Sequence, residues 1–317
     1  MFKHHATLAA FVFLILLFSI LLPDTFLTGR NLFNITQQVS MLAVTAFAMT
    51  IVMAMGDYDL SVGSMASLAG IGVAIIFKLT GSESLSLLFA LSVGVLGGLF
   101  NGFLVSYLNI LPFVATLGSL TIFSGLAFLM SGGKTLFGGA IPASFSNLAR
   151  GGLPLDASDH LPIVIPNLTI LSVILLIITW FILQKMVFGR HLYAIGGNQE
   201  AARLAGVDVK KVRLIAFMLS GLGATLAGLM YMSRVSSANP TQGAGLMLDA
   251  IAAVFIGMTM NEQNEPRVLN TVLGVLFLGV LSNGLTQLSV DSYVRDILVG
   301  ALIIVSVAAS RLETRVR

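Results

Sequence analysis

The chain has 317 residues, of which 56% are hydrophobic and 10% are charged, and its mean hydropathy is +0.97. This composition excludes a soluble domain, which would expose far more charge, and is typical of a polytopic α-helical membrane protein. The formal net charge of +3 is spread between apolar runs and favours no nucleic-acid surface, while the lack of cysteine excludes disulfides and thiolate metal sites.

Ten apolar segments follow one another along the chain, each about as long as a membrane span. They cover residues 6–22, 34–55, 62–79, 85–107, 112–130, 163–185, 211–232, 244–260, 268–287 and 294–310. The sequence therefore predicts an all-α fold with about ten transmembrane helices in a single domain over residues 1–317. The interval 55–62 carries Asp57 and Asp59, which leaves open whether the second and third segments are clean spans or broken helices.

The distribution of lysine and arginine predicts the orientation in the membrane. If both termini are cytoplasmic, eleven of these residues lie inside and six outside, as the positive-inside rule requires. Loops 131–162 and 233–243 then face outward. They either offer a docking surface to a soluble partner or only connect helices.

Residues 189–213, called the polar segment below, hold five of the seventeen Lys and Arg residues between two apolar runs. Asn198 is suited to cap a short helix, Glu200 to occupy its first turn and Gly206 to end it. Arg203 follows Glu200 by three residues, a spacing at which the two side chains can form an ion pair. The sequence thus predicts a cytoplasmic helix of about two turns.

One face of this short helix is weakly apolar, because Ala201, Leu204 and Ala205 recur at helical spacing. Such a face suits docking into a cleft of another protein. The alternative is a surface helix that lies against the membrane domain of its own chain.

The polar segment and four other stretches resemble one family. The string AIGGNQEAARLAGVDVKKVRLIAFMLSGLGATLAG resembles the coupling segment of ABC-importer permeases for monosaccharides such as ribose, arabinose, xylose, galactose and the autoinducer-2 sugar. The other stretches, in chain order, are GDYDLSVGSMASLAG, NGFLVSYLNILPFVATLGSL, SRVSSANPTQGAGLMLDAIAAVFIG and NGLTQLSVDSYVRDILVGALII. Within the family, the similarity favours pentose permeases of the ribose and arabinose type.

The resemblance implies a type II ABC importer permease in the bacterial inner membrane, working by alternating access. Its partners would be a second permease copy or a paralogue, a cytoplasmic ATPase that binds ATP and Mg, and a periplasmic sugar-binding protein. The chain itself would hold no cofactor and catalyse no reaction. The implied coupling residues are Gly196, Gly197, Asn198, Glu200, Ala201, Arg203, Leu204 and Gly206.

Loop 257–267 departs from the family pattern. Relatives carry a loop of the form GGTSLxGGxG, whereas this chain reads GMTMNEQNEPR. Because glycine permits backbone conformations closed to other residues, a different loop shape is expected. If the loop touches the ATPase, an atypical ATPase surface or an asymmetric partner permease would follow.

Several polar residues interrupt the apolar segments. A charge at mid-bilayer costs about 2.5–3.5 kcal/mol on insertion scales, so embedded carboxylates should face protein or water. They either line a translocation path or cap and brace helices, and the same alternatives hold for asparagines followed by glycine. The candidates for a translocation path or helix break are Asp57, Asp59, Ser61, Asn101, Asp249 and Asn283.

The competing function is a secondary transporter driven by an ion gradient, with the embedded aspartates as ion sites. A membrane enzyme is disfavoured, since no acid/base pair or nucleophile is evident and the four dispersed histidines predict no metal site. Gly94, Gly98 and Gly102 predict a close-packing helix face, either inside the subunit or at a dimer interface.

Overall fold

The computed structural model describes residues 2–154, 164–260 and 265–314, with side chains given from residue 7 to residue 305 of those ranges. Thirteen α-helices occur in the described ranges. They are α1 (Phe2–Leu21), α2 (Gly29–Met53), α3 (Val62–Thr80), α4 (Glu83–Ser106), α5 (Pro112–Ser131), α6 (Ala143–Arg150), α7 (Asn167–Gln184), α8 (Val187–Gly197), α9 (Gln199–Leu204), α10 (Val209–Val235), α11 (Ala244–Met258), α12 (Val268–Gln287) and α13 (Ser292–Thr314). His160 and residues 261–264 of the atypical loop lie outside the described residues.

Each of the ten predicted apolar segments coincides with a helix: α1 to α5, α7 and α10 to α13. Among the described residues, seven of these helices are long and apolar enough to cross a membrane, and the apolar parts of α1 and α11 are shorter. Helices suit the interior of a lipid bilayer because each helix satisfies its backbone hydrogen bonds internally. The all-α, polytopic membrane fold is confirmed.

The two aspartates of the interval 55–62 lie in a connection, residues 54–61, between two uninterrupted helices. α2 ends at Met53 and α3 begins at Val62, and Gly56 turns the chain with a φ of +83°. The second and third segments are therefore not broken helices. Asn101 and Asn283 likewise lie inside the continuous helices α4 and α12, so neither marks a helix break.

The core of the molecule forms around α2 and α10. α2 is buried along most of its length, and α10 packs against α4, α2 and α3. The small residues of α4 allow a close approach to α10: a Cβ atom on Gly94 would lie 2.6 Å from Thr225 Oγ1 and 2.8 Å from the Gly221 carbonyl oxygen. Gly98 and Gly102 face α10 in the same way. The glycine series is thus an internal packing face.

Two short antiparallel sheets lie at the end of the molecule where α5 and α10 terminate. β1 (Leu136–Phe137) pairs with β4 (Ser237–Ala238), and β2 (Gly152–Pro154) pairs with β3 (Val164–Pro166). The first sheet ties the two loops that were predicted to face outward to each other. We call this the distal end, because the polar segment lies at the opposite end of α10.

Candidate functional site

The polar segment folds as the end of α8, the short helix α9 and the start of α10. The Asn198 side-chain oxygen accepts a hydrogen bond from the Ala201 backbone amide at 3.0 Å and so caps α9. Gly206 follows the helix with a φ of +88°, a conformation that glycine adopts without strain. The predicted cap and helix end are present.

The predicted ion pair of α9 also forms. The Arg203 guanidinium lies 2.6 Å from a Glu200 carboxylate oxygen, and this hydrogen bond holds the pKa of Glu200 below its usual range. Both side chains are well exposed, so the pair fixes the shape of the surface more than it stabilises the fold.

The two faces of α9 differ in burial. Ala202 is buried against the rest of the chain, whereas Ala201, Ala205 and Leu204 are exposed, and 76% of Leu204 is accessible. The two alternatives for this helix, docking into another protein or lying against its own chain, therefore each describe one side of it. The helix rests on its own membrane domain and presents an apolar tip on the other side.

The buried side of the polar segment contacts the connection 54–61 directly. A Cβ atom on Gly196 would clash with the Ala54 carbonyl oxygen and would lie 3.3 Å from Met55 Cα, whereas a Cβ atom on Gly197 would have no neighbour within 4 Å. The absence of a side chain at residue 196 thus lets the end of α8 lie on the end of α2.

Arg213, near the start of α10, joins the same two elements electrostatically. Its Nε lies 2.6 Å from Asp57 Oδ2, and its terminal nitrogen donates to Asp57 Oδ1 at 3.1 Å and to Gln199 Oε1 at 3.3 Å. The side chains of Arg213 and Asp57 are only 15% and 6% exposed. The first residue of α9 and the connection 54–61 therefore share one buried guanidinium.

Asp59 lies fully buried in a network of uncharged groups. Its Oδ1 accepts from the Ser61 hydroxyl at 2.6 Å and, weakly, from Asn101 Nδ2 at 3.4 Å, and its Oδ2 accepts from the Ser220 hydroxyl at 2.9 Å. Asn101 in turn donates to the Ser61 hydroxyl at 2.8 Å and accepts from Ser119 at 2.5 Å. This network connects the connection 54–61 to α4, α5 and α10.

The remaining two candidates lie nearer the distal end. Asp249 of α11 forms an ion pair with Arg295 of α13, and Asn283 of α12 exchanges two hydrogen bonds of 3.1 Å with Asn31 of α2. The six polar candidates therefore separate into a group around Asp57 and Asp59 and a group around Asp249 and Asn283.

Sequence reasoning did not identify the partners of these residues. Arg213 and Arg295 were counted only as charges for orientation, and Ser119 and Ser220 were not singled out. A cation next to or inside an apolar segment is the signal that points to the two arginines, since such a charge needs a partner.

The polar segment also contacts the end of the atypical loop. The Tyr193 hydroxyl of α8 donates to the Pro266 carbonyl oxygen at 2.8 Å. Burial raises the pKa of Tyr193 to about 12, so the hydroxyl keeps its proton at physiological pH. The described end of loop 257–267 therefore lies beside the polar segment.

Comparison with known proteins identifies the family. Residues 31–307 match the family described as branched-chain amino acid transport system / permease component. The ribose import permease protein RbsC of Bacillus subtilis is 36% identical over 94% of this chain and 89% of its own length. The D-allose permease AlsC and the L-arabinose permease AraH of Escherichia coli are 32% and 33% identical over 98% and 99% of this chain, each over 92% of its own length.

No solved structure matches the chain. The family match covers well over half of the sequence, and each of these relatives aligns over nearly its full length. The chain therefore belongs to the family of ABC-transporter permease components that includes the ribose, allose and arabinose import permeases.

Proposed function

We propose that the chain is the permease subunit of an ATP-driven importer for a monosaccharide, a pentose such as ribose or arabinose or a related small sugar. The names of its relatives support the sugar class. The observation that carries the coupling role is the polar segment, a capped helix whose one face is exposed and whose other side contacts the connection 54–61.

The proposed assembly has two permease subunits, identical or paralogous, a cytoplasmic ATPase and a periplasmic binding protein. The excess of Lys and Arg supports cytoplasmic termini and a polar segment in the cytoplasm of a bacterium, with the chain in the inner membrane. ATP and Mg would be bound by the ATPase, and this chain would contribute no catalytic residue.

The proposed coupling begins at the exposed face of α9. Closure of the ATPase would displace α9 and α8, and the contact of Gly196 with Ala54 would transmit that displacement to the end of α2. Arg213 would keep Gln199 and Asp57 moving together, because it donates to both and separating it from Asp57 leaves a buried carboxylate unpaired.

The connection 54–61 would then pass the displacement into the membrane. Asp59 bonds to side chains of α4 and α10, so a shift of the connection would displace these two helices. Packed helices respond to such displacements by switching between discrete arrangements, and alternating access requires a switch of this kind.

Reconstitution into proteoliposomes tests the transport class. With the cognate ATPase and binding protein, we expect uptake of labelled ribose or arabinose that needs ATP and continues when a protonophore removes the pH gradient. Uptake that follows the pH gradient without ATP would support the ion-coupled alternative instead. That alternative is not favoured, since Asp57 and Asp249 are each paired with an arginine and the family is one of ABC permeases.

A further inference from the structure

A polar cavity of about 300 Å³ lies between α2, α10, α11, α12 and α13. Gln38 of α2 lines it and precedes Ala54 by more than four helical turns, about 24 Å along the axis. Arg234 lines it from the last turn of α10, the helix that begins beside the polar segment. The cavity therefore opens in the distal half of the molecule, and we call it the distal cavity.

Arg234 is the charged group of the distal cavity that the described residues leave without a partner. The Gln242 side-chain nitrogen and Arg295 Nε also have no hydrogen-bond partner among the described residues, but both atoms are fully buried behind the cavity wall, the Gln242 nitrogen against Gly70 of α3. The Gln242 amide is held in place, because its oxygen accepts from the Asn239 backbone amide at 3.0 Å. Arg234 is half-buried, and within the described part of the chain no carboxylate pairs with it.

The cavity also offers acceptors beside these donors. Asp249 is paired with Arg295 through one carboxylate oxygen, and Ser282 contributes a hydroxyl that receives only a long, 3.4 Å bond from Gln38. The rest of the wall is formed mostly by valine, leucine and methionine side chains. A few fixed polar groups beside apolar side chains orient the ligand in a typical small-ligand site, and this volume is at the lower end of the range for such sites.

A half-buried guanidinium without a partner is costly, and a ligand rich in oxygen atoms that accepts from Arg234 relieves that cost. A hydroxyl group donates one hydrogen bond and accepts others, so two neighbouring hydroxyls match a guanidinium beside a carboxylate. We propose that the distal cavity binds the hydroxyl groups of a monosaccharide as a transient subsite within the permease, with Arg234, Asp249, Ser282 and Arg295 as ligands. This inference rests on the proposed import of a sugar.

The rival ligand is an anion. Arg234 and Arg295 outnumber the single carboxylate Asp249, so the described charged groups of the cavity carry one net positive charge. A neutral sugar is preferred because the cavity also offers acceptors, the Asp249 carboxylate and the Ser282 hydroxyl, which can bind a ligand hydroxyl and which an anion does not need.

The test measures retention of radiolabelled D-ribose by the permease–ATPase complex in lipid nanodiscs, without the binding protein. We expect saturable, weak retention by the wild-type complex. Arg234→Gln should weaken it about tenfold, the effect of losing a hydrogen bond to a charged group, and Ser282→Ala should weaken it severalfold. Lys134→Gln is the matched control, because it removes an exposed cation from the same distal end and should retain ribose as the wild type does.

Folding is monitored by size-exclusion chromatography of each variant. If Arg234→Gln does not assemble, Ser282→Ala carries the test, since deleting one hydroxyl preserves the shape of the cavity. Unchanged retention in Ser282→Ala and in an assembled Arg234→Gln would overturn the proposal. Saturable retention of radiolabelled glucuronate, together with no saturable retention of radiolabelled ribose, would also overturn it, in favour of an anion site.

Failure of this inference can be told apart from failure of the proposed function. A wild-type complex that imports ribose with ATP but shows no saturable retention overturns the subsite alone. A wild-type complex that imports no sugar with ATP overturns the proposed function, whatever its retention.

Discussion

Arg213 shows how a single residue can belong to two elements. It is predicted from the sequence only as one of the positive charges of the polar segment, yet its guanidinium is mostly buried between Asp57 and Gln199. A buried ion pair adds little net stability over an apolar pair, but removal of one partner leaves the other charge unpaired. Arg213 is therefore a sensitive position for stability and for the proposed coupling.

Arg213→Gln is expected to destabilise the permease by about 3–5 kcal/mol, because the Asp57 carboxylate stays buried without its cation. Combining it with Asp57→Asn should recover part of the loss, since no unpaired charge remains. The measurement is the thermal unfolding midpoint of the purified protein in detergent. Lys211→Gln removes an exposed charge two residues away and should change stability by at most about 0.5 kcal/mol. Equal midpoints for Arg213→Gln and Lys211→Gln would contradict the role assigned to the pair.

At the scale of elements, the contact between α8 and α2 depends on one of two adjacent glycines. Gly196 lies on the Ala54 carbonyl and Gly197 faces open space. Sequence similarity assigns both to the coupling segment without distinguishing them. The structure distinguishes them, because only one of the two positions excludes a side chain.

Gly196→Ala should loosen the coupling of ATP hydrolysis to transport, whereas Gly197→Ala should not. The added methyl group at residue 196 must push α8 away from α2, at a cost of about 1–3 kcal/mol for overpacking. We expect the ratio of sugar imported to ATP hydrolysed in proteoliposomes to fall about tenfold for Gly196→Ala. Similar ratios for the two variants would show that the α8–α2 contact does not transmit the displacement.

At the scale of the whole molecule, the two ends carry different chemistry. One end presents α9, with its exposed leucine tip and the end of loop 257–267 nearby. The distal end carries the short sheets and the distal cavity. The helices α2 and α10 run between the ends, which places the proposed ATPase-docking helix and the proposed sugar subsite on opposite sides of the membrane core.

Leu204→Asp should prevent stable association with the cognate ATPase. Leu204 is 76% exposed, and burying it in a cleft would contribute about 2 kcal/mol that an aspartate cannot supply. We expect at least tenfold less ATPase to co-purify with the permease. Leu153→Asp, at an exposed leucine of the distal end, is the matched control and should retain the ATPase. Loss of the ATPase in both variants, or in neither, would argue against docking through α9.

The sequence by itself determined the local and periodic features of this protein. Ten apolar runs became ten helices, and the cap of Asn198 and the Glu200–Arg203 pair formed as predicted, because such features depend on residues within a few positions of each other. The family, too, followed from motifs whose residues are contiguous in the chain.

Only the tertiary structure decided which groups the embedded polar residues meet. Asp57 and Arg213 are 156 positions apart and Asp249 and Arg295 are 46 apart, so no local rule pairs them. The tertiary structure also decided the role of the glycines of α4. Their helical spacing fits either an internal or an intermolecular packing face, and the structure shows that they pack against α10 of the same chain. Partners across a bundle are selected by the packing of distant helices, and that packing is a property of the folded chain as a whole.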